Sequence, residues 1–337
     1  MSAWTIAITG SKRQWSESEV TVKIRLAVRD WDYYMPLALG DLKPEGFELE
    51  LHRVGTLPND LATCAEYDAG EVSFSRYAQA VSMGDHSLVC VPHFLMRGFR
   101  QRCVITAKHS PLNAFSQLAG KKIGVTGWQD SGNTWTRTLL RREGVGIEDA
   151  KWYAGRLTEA HPIVDRLGRH VRPGLIEAAP GERPLDELLQ TGELDAVFTP
   201  FMPPNFFDAD SPLRFFLPDF RAAEQAYFNE VGYVPGIHVL GFKPAILDEH
   251  PWLAQALSEL LDESSRIWME KRMKYADTTP WILDEIRRTT LDLPAQWNRN
   301  GLAANRKMID DFVSEMLDQK LIERRVGAEA LFPQAWA

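Results

Sequence analysis

Three arginines fall within one short stretch, LMRGFRQRCVI, at residues 97, 100 and 102. A guanidinium presents a planar fork of N–H donors that matches a carboxylate bidentately. The stretch interrupts two strand-like runs, where a solvated turn more often carries Asp, Asn or Pro. Arg97 and Arg100, flanking Gly98-Phe99, are therefore candidates for a carboxylate clamp. His238 lies inside an otherwise apolar run, GIHVLGF, just after Pro235-Gly236. A histidine there is either a hydrogen-bonded core residue or a group that moves protons near neutral pH.

A third candidate is the segment 118–145, LAGKKIGVTGWQDSGNTWTRTLLRREGV. Residues 122–126 read as a short buried strand and 132–143 as a helix. The first N–H groups of a helix lack partners within it and carry partial positive charge, so an anion can sit on this turn. An ordinary βα unit fits the same spacing. Asp130 or Ser131 suits the N-cap, Gly144 the stop, and Arg141 and Arg142 the last turn. Trp128 and Trp135 flank the turn and suit stacking on an aromatic ring.

Other signals are weaker. His86 with His93, and His161 with His170, lack helical metal-ligand spacing, and Asp208 with Asp210 lacks the rest of a calcium loop, so no metal is expected. Asp130-Ser131-Gly132 is not a GxSxG elbow, and Gly10-Ser11-Lys12 lacks phosphate-loop spacing.

The elements that must position these groups alternate. The run VKIRLAV (22–28) reads as a first strand, FELELHRV as a second, a helix is expected over 59–67, and a strand over 71–75 runs into a helix opened by Arg76. Further strand-like runs are SLVCVPHF, RCVITA, LDAVFTP and GIHVLGF. The segment 161–184 reads as irregular, and 201–220 as a long aromatic loop. The last third is helical, with apolar residues at three- and four-residue spacing in WLAQALSELL. This pattern predicts an α/β fold of two lobes joined by two crossings: residues 22–105 with 228–337 as the first lobe, and 106–227 as the second. Residues up to about Val20 read as an extension or an added strand.

A net charge of -8 over 337 residues argues against nucleic acid or an anionic membrane surface as partner, and favours a small ligand. Hydrophobic residues at 45% and charged residues at 25% are those of a soluble globular chain. Cys64, Cys90 and Cys103 show no CxxC spacing and suit reduced thiols. With no secretory pattern at the N-terminus and no apolar run of roughly 20 residues, the cytoplasm is the expected location.

At these residues the chain resembles the 4,5-dihydroxyphthalate decarboxylases, which are similar in fold to type II periplasmic solute-binding proteins. The similar pieces are GEVSFSRY, RGFRQRCVIT, LAGKKIGVTGWQDSGNTWTRTLLRREGV, YFNEVGYVPGIHVLGF and HPWLAQAL, in family order. The chain departs at Asp130, Ser131, Gly132 and Asn133, and in the segment 161–184. The resemblance implies a type II periplasmic-binding-protein-like fold with the ligand cleft between the lobes. It implies decarboxylation of a hydroxylated aromatic acid with no cofactor, His238 acting as the proton donor and His93 as the runner-up. The expected pocket has Arg97 and Arg100 on the hinge side, and Gln129, Thr134 and Arg137 around the helix start with Trp128 nearby. Arg29, Ser75 and Arg76 follow first-lobe strands and are secondary candidates. The alternative is a protein that binds an aromatic carboxylate without changing it. A homo-oligomer is compatible with either.

Overall fold

The computed structural model describes residues 22–334, so the expected N-terminal extension and Gly10-Ser11-Lys12 lie outside it. In β1 (Val22–Arg29) the alternation turns Ile24, Leu26 and Val28 into a buried face. The strand pairs in parallel with β2 (Phe47–Val54) across α1 (Met35–Ala38), and on its other side with β3 (Ala69–Ser73). β3 runs without a break into α2 (Phe74–Ser82), and β4 (Val89–Arg97) follows. The chain then builds a second sheet from β5 (Val104–Ala107), β6 (Lys122–Val125), β7 (Lys151–Ala154), β8 (Ile176–Ala178), β9 (Ala196–Phe198) and β10 (Leu213–Phe215). Two helices interrupt it, α3 (Ser131–Arg142) and α4 (Leu185–Gln190).

After α5 (Phe220–Val231), β11 (Gly236–Phe242) returns to the first sheet and inserts between β3 and β4, antiparallel to both. Helices α6 (Pro244–Glu249), α7 (Leu253–Tyr275), α8 (Ile282–Asp292), α9 (Leu302–Asp318) and α10 (Ala328–Leu331) complete the described chain. The first sheet has the order β2-β1-β3-β11-β4 and the second β10-β5-β9-β6-β7-β8. The strands at 22–28 and 122–126 thus lie in different sheets, as a two-lobed fold requires. We propose that the crossings divide the lobes; the limits expected at 105/106 and 227/228 fall within β5 and α5.

One face of the first sheet packs on α7, whose Leu253, Leu257 and Leu261 meet Leu26, Val91 and Phe242. The helix buries the side of its cylinder that its apolar spacing marks out. Helix α9 does more than cover the first lobe. Its Phe312 stacks on Phe74 and lies 4.8 Å from the Trp135 ring of α3, so one core runs from lobe to lobe. Gly236 is required at that seam, because a Cβ there would stand 2.3 Å from the Phe94 ring.

Three local expectations need correction. The residues 59–67 form turns rather than a helix. The Asp60 carboxylate takes the Ala62 N–H and the Thr63 hydroxyl, a local arrangement that competes with helical hydrogen bonding. The loop 201–220 contains β10, which pairs antiparallel with β5 and covers that edge. Within 161–184, Ile176–Ala178 forms the short edge strand β8. No helix among the described residues is long and apolar enough to cross a membrane.

Candidate active site

A cleft of about 870 Å³ is lined from both sheets. Its lining includes Arg29 at the end of β1, Ser73 at the end of β3, Thr126 just after β6 and Thr199 just after β9. Carboxyl ends of parallel strands are where open α/β sheets gather ligands, because the following turns and helix starts leave backbone donors free. Here two such helix starts converge. The Ser131 hydroxyl, at the first residue of α3, accepts the Ser75 N–H at 2.8 Å and lies 3.0 Å from the Ser73 hydroxyl at the start of α2.

His238 lines the same cleft. On β11 it is the direct register partner of Ser73, which puts their Cα atoms about 5 Å apart. The imidazole is therefore separated from the start of α3 by little more than two serine side chains. Its Nδ1 lies 2.5 Å from Oε1 of Glu71, a carboxylate fully buried in β3. The other Glu71 oxygen accepts the Arg29 backbone N–H at 2.9 Å and the Trp31 indole N–H at 3.0 Å. The His238 side chain keeps 15% exposure.

Arg100 is buried and lines the cleft beside Gly132, where an added Cβ would come within 3.0 Å of Nη2. No carboxylate pairs with it among the described residues, and its Nε has no hydrogen-bond partner there. Burial pulls its pKa below the ordinary guanidinium value. A cation thus lies against the positive end of α3, whose N-cap Asp130 makes no capping hydrogen bond. The Asp130 carboxylate instead meets Arg76 at 3.2 Å, lobe to lobe. Arg29 contributes a further cation, with its guanidinium carbon 5.6 Å from the centre of the Phe201 ring. Arg166 is anchored by the carbonyls of Thr126 and Pro162, and burial lowers its pKa. Anions of aromatic character suit such a lining.

Of the residues expected from the sequence, Arg29, Arg76, Arg100 and His238 reach the cleft lining. Ser75 is buried beside it and contributes its N–H to Ser131. The Arg97–Arg100 clamp does not form. Arg97 ends β4 and turns toward α9, donating to Asn300, Asn305 and the Arg299 carbonyl and lying over the Phe94 ring. Burial lowers its pKa to about 10.

Trp128, Gln129, Thr134 and Arg137 are likewise absent from the lining. The Arg137 guanidinium lies 4.1 Å from the centre of the Trp128 ring and donates to Gln319 and the Trp128 carbonyl, with burial lowering its pKa to about 9. Thr134 donates to the Asp130 carbonyl, and Gln129 to that of Leu167. The helix presents its first turn to the cleft, while residues 134 and 137 lie on the face that packs inward. His93 is buried against Ser258 and Asn300, and burial lowers its pKa to about 4.

Sequence reasoning missed Glu71, Ser73, Ser131, Asn133, Arg166 and Phe201 as site residues. Glu71 carried a usable signal, an acid between Gly70 and Val72 in a short buried strand. Arg166 and Phe201 come from loops whose path no periodicity reveals. Among the described residues no group of three or more His, Cys, Asp or Glu side chains is placed to hold a metal ion.

No family model matches the chain. It is 26% identical over 321 residues to a 4,5-dihydroxyphthalate decarboxylase of Comamonas testosteroni, spanning 93% of this chain and 97% of that protein. With a 4,5-dihydroxyphthalate decarboxylase of Pseudomonas putida it shares 30% identity over 173 residues, 50% of this chain and 66% of that one. Among solved structures, the periplasmic aliphatic sulphonate binding protein SsuA from Escherichia coli superposes with a TM-score of 0.55 at 13% identity, covering 94% of this chain and 93% of that one. At that identity the likeness is one of fold. The chain thus has the two-lobed fold of the periplasmic binding proteins and resembles, along nearly its whole length, the 4,5-dihydroxyphthalate decarboxylases.

Proposed function

We propose that the cleft decarboxylates a hydroxylated, phthalate-like aromatic acid without a cofactor. The observation that carries this reading is the placement of His238, a histidine with one nitrogen tied to Glu71, next to the helix start where Arg100 is buried. One carboxylate of the acid rests on Arg100 and the first turn of α3, with Arg29, Arg76 and Arg166 around it. The ring then spans toward His238.

A ring hydroxyl para to the other carboxylate raises electron density at the carbon that bears it. His238 gives a proton to that carbon. The C–C bond then breaks, its electron pair returns to the ring, and carbon dioxide leaves; the transferred proton takes the carboxylate's place. A positioned general acid contributes about 10²- to 10⁴-fold. The arginines hold the retained carboxylate and stabilise charge on the ring oxygen. The similarity to decarboxylases over nearly the full length supports the same reaction class. The reading implies a cytoplasmic enzyme whose partner is the small acid, alone or as a homo-oligomer.

The fold favours a second reading, a protein that binds an aromatic carboxylate and leaves it intact. Incubation of the purified protein with hydroxylated phthalates and related acids separates the two. Carbon dioxide and the decarboxylated phenol, formed one to one, are expected; saturable binding with no carbon dioxide would favour the second reading.

A further inference from the structure

We infer that Glu71 is a positioning residue, which fixes the His238 proton donor at Nε2. This inference rests on the reading of His238 as the general acid. An ionised carboxylate only accepts hydrogen bonds, so the short contact requires a proton on Nδ1. The ring nitrogen left for chemistry is Nε2, on a side chain that lines the cleft. The carboxylate cannot easily turn, because its second oxygen is held by the Arg29 backbone N–H and the Trp31 indole N–H. The side chain of Glu71 is fully buried, so water does not weaken the interaction.

The two donors on Oε2 also dictate what an isosteric replacement does. In Glu71→Gln the amide oxygen must face Arg29 and Trp31, since an NH₂ there would meet two N–H groups. The NH₂ group then faces Nδ1 of His238. Nδ1 of the neutral ring becomes an acceptor and its proton moves to Nε2, while the doubly protonated ring, which is the proton donor, is repelled. A change of one atom thus reverses the tautomer with almost no change of shape. A purely structural Glu71 would show a loss of stability while the folded variant kept its kcat.

The ring-nitrogen ¹⁵N resonances of His238 in the full chain, assigned by their absence in His238→Gln, read the tautomer directly. Wild type is expected to carry the proton of its neutral ring on Nδ1; a proton on Nε2 would overturn the inference even if the variant failed to fold. Glu71→Gln is expected to move it to Nε2 and to lower kcat by about 10²- to 10⁴-fold with KM changed less than fivefold. A variant that keeps wild-type kcat also overturns it. Trp31→Phe removes one of the donors and leaves the carboxylate, so its kcat should fall only a few fold. Failure of wild type to release carbon dioxide from any aromatic acid would instead sink the functional reading, and the Glu71 role with it, whatever the tautomer.

Discussion

Two histidine–arginine pairs lie on neighbouring strands of the first lobe and have opposite fates. His93 and Arg97, both on β4, share Asn300 and are closed in by Ser258, Asn305 and Arg299. His238, on the adjacent β11, and Arg100, just past β4, line the cleft, and Arg100 has no carboxylate partner among the described residues. Residue type does not separate the pairs. Partners do: in the first, His93 Nδ1 and Arg97 Nη2 are engaged by fixed protein groups, which makes it structural, whereas the second faces a surface that both lobes share.

The largest expected difference is in turnover. His238→Gln should lower decarboxylation by at least about 10²-fold with acid binding nearly intact, whereas His93→Gln should leave turnover within a few fold. Steady-state rates beside calorimetric binding decide it, and equal losses in the two variants would erase the distinction.

The arginines come next. Arg100→Met should weaken aromatic-acid binding by roughly 10- to 100-fold, as expected for charge-assisted hydrogen bonds worth about 1.5–3 kcal/mol each, and should change stability little, since it removes a buried charge that makes no ion pair among the described residues and is only partly offset by Glu224. Arg97→Met should do the reverse, leaving affinity alone while costing about 1–3 kcal/mol through the Asn305 oxygen that loses its donor. Denaturant unfolding and calorimetry on both variants provide the check.

The third test uses acid. Burial puts the folded pKa of His93 near 4, against an ordinary 6.5, so the unfolded chain binds the proton more readily. Stability from this group is therefore complete above about pH 6.5 and is lost as pH falls toward 4. The loss is on the order of 3 kcal/mol. His170, half-buried and also near 4, adds to the same window. His93→Gln should make the decline between pH 6.5 and 4 shallower in unfolding measurements; an unchanged slope would contradict a buried neutral His93.

The smallest effect concerns Asp130. Its contact with Arg76 is partly exposed and contributes no more than about 1 kcal/mol. Asp130→Asn should therefore barely alter stability, yet removing a negative charge beside the start of α3 should tighten anion binding up to a few fold. Weaker binding would mean that Asp130 itself holds the ligand.

Much of the fold was legible because it depends on local pattern. The alternation of Ile24, Leu26 and Val28 marks β1, the spacing of Leu253, Leu257 and Leu261 marks the buried side of α7, and Gly144, at φ +79°, ends α3. His238 and Arg100 were legible as chemically odd residues in apolar surroundings. Glu71 was odd in the same way, but its role and that of Ser131 could not be assigned, since those roles exist only through contacts across 167 and 58 residues. Arg97 and Arg137 misled for the same reason. A buried arginine packed on an aromatic ring looks, in sequence, like one that waits for an anion. The turn at 59–67 failed differently, because the Asp60 side chain competes locally with a helix that composition favours.

Arg100 also offers a practical handle. A guanidinium held away from water, against the positive end of a helix and with no ion-paired carboxylate among the described residues, leaves the folded chain with repulsion that Glu224 only partly offsets, at one known place. Any anion that relieves it binds the native form and not the unfolded one, and at a hundredfold excess over its Kd it adds about 2.7 kcal/mol to stability. The melting temperature therefore reports occupancy without a product assay. A library of aromatic mono- and dicarboxylates, ranked by thermal shift in wild type and again in Arg100→Met, would reveal the shape of the preferred acid before any reaction is sought.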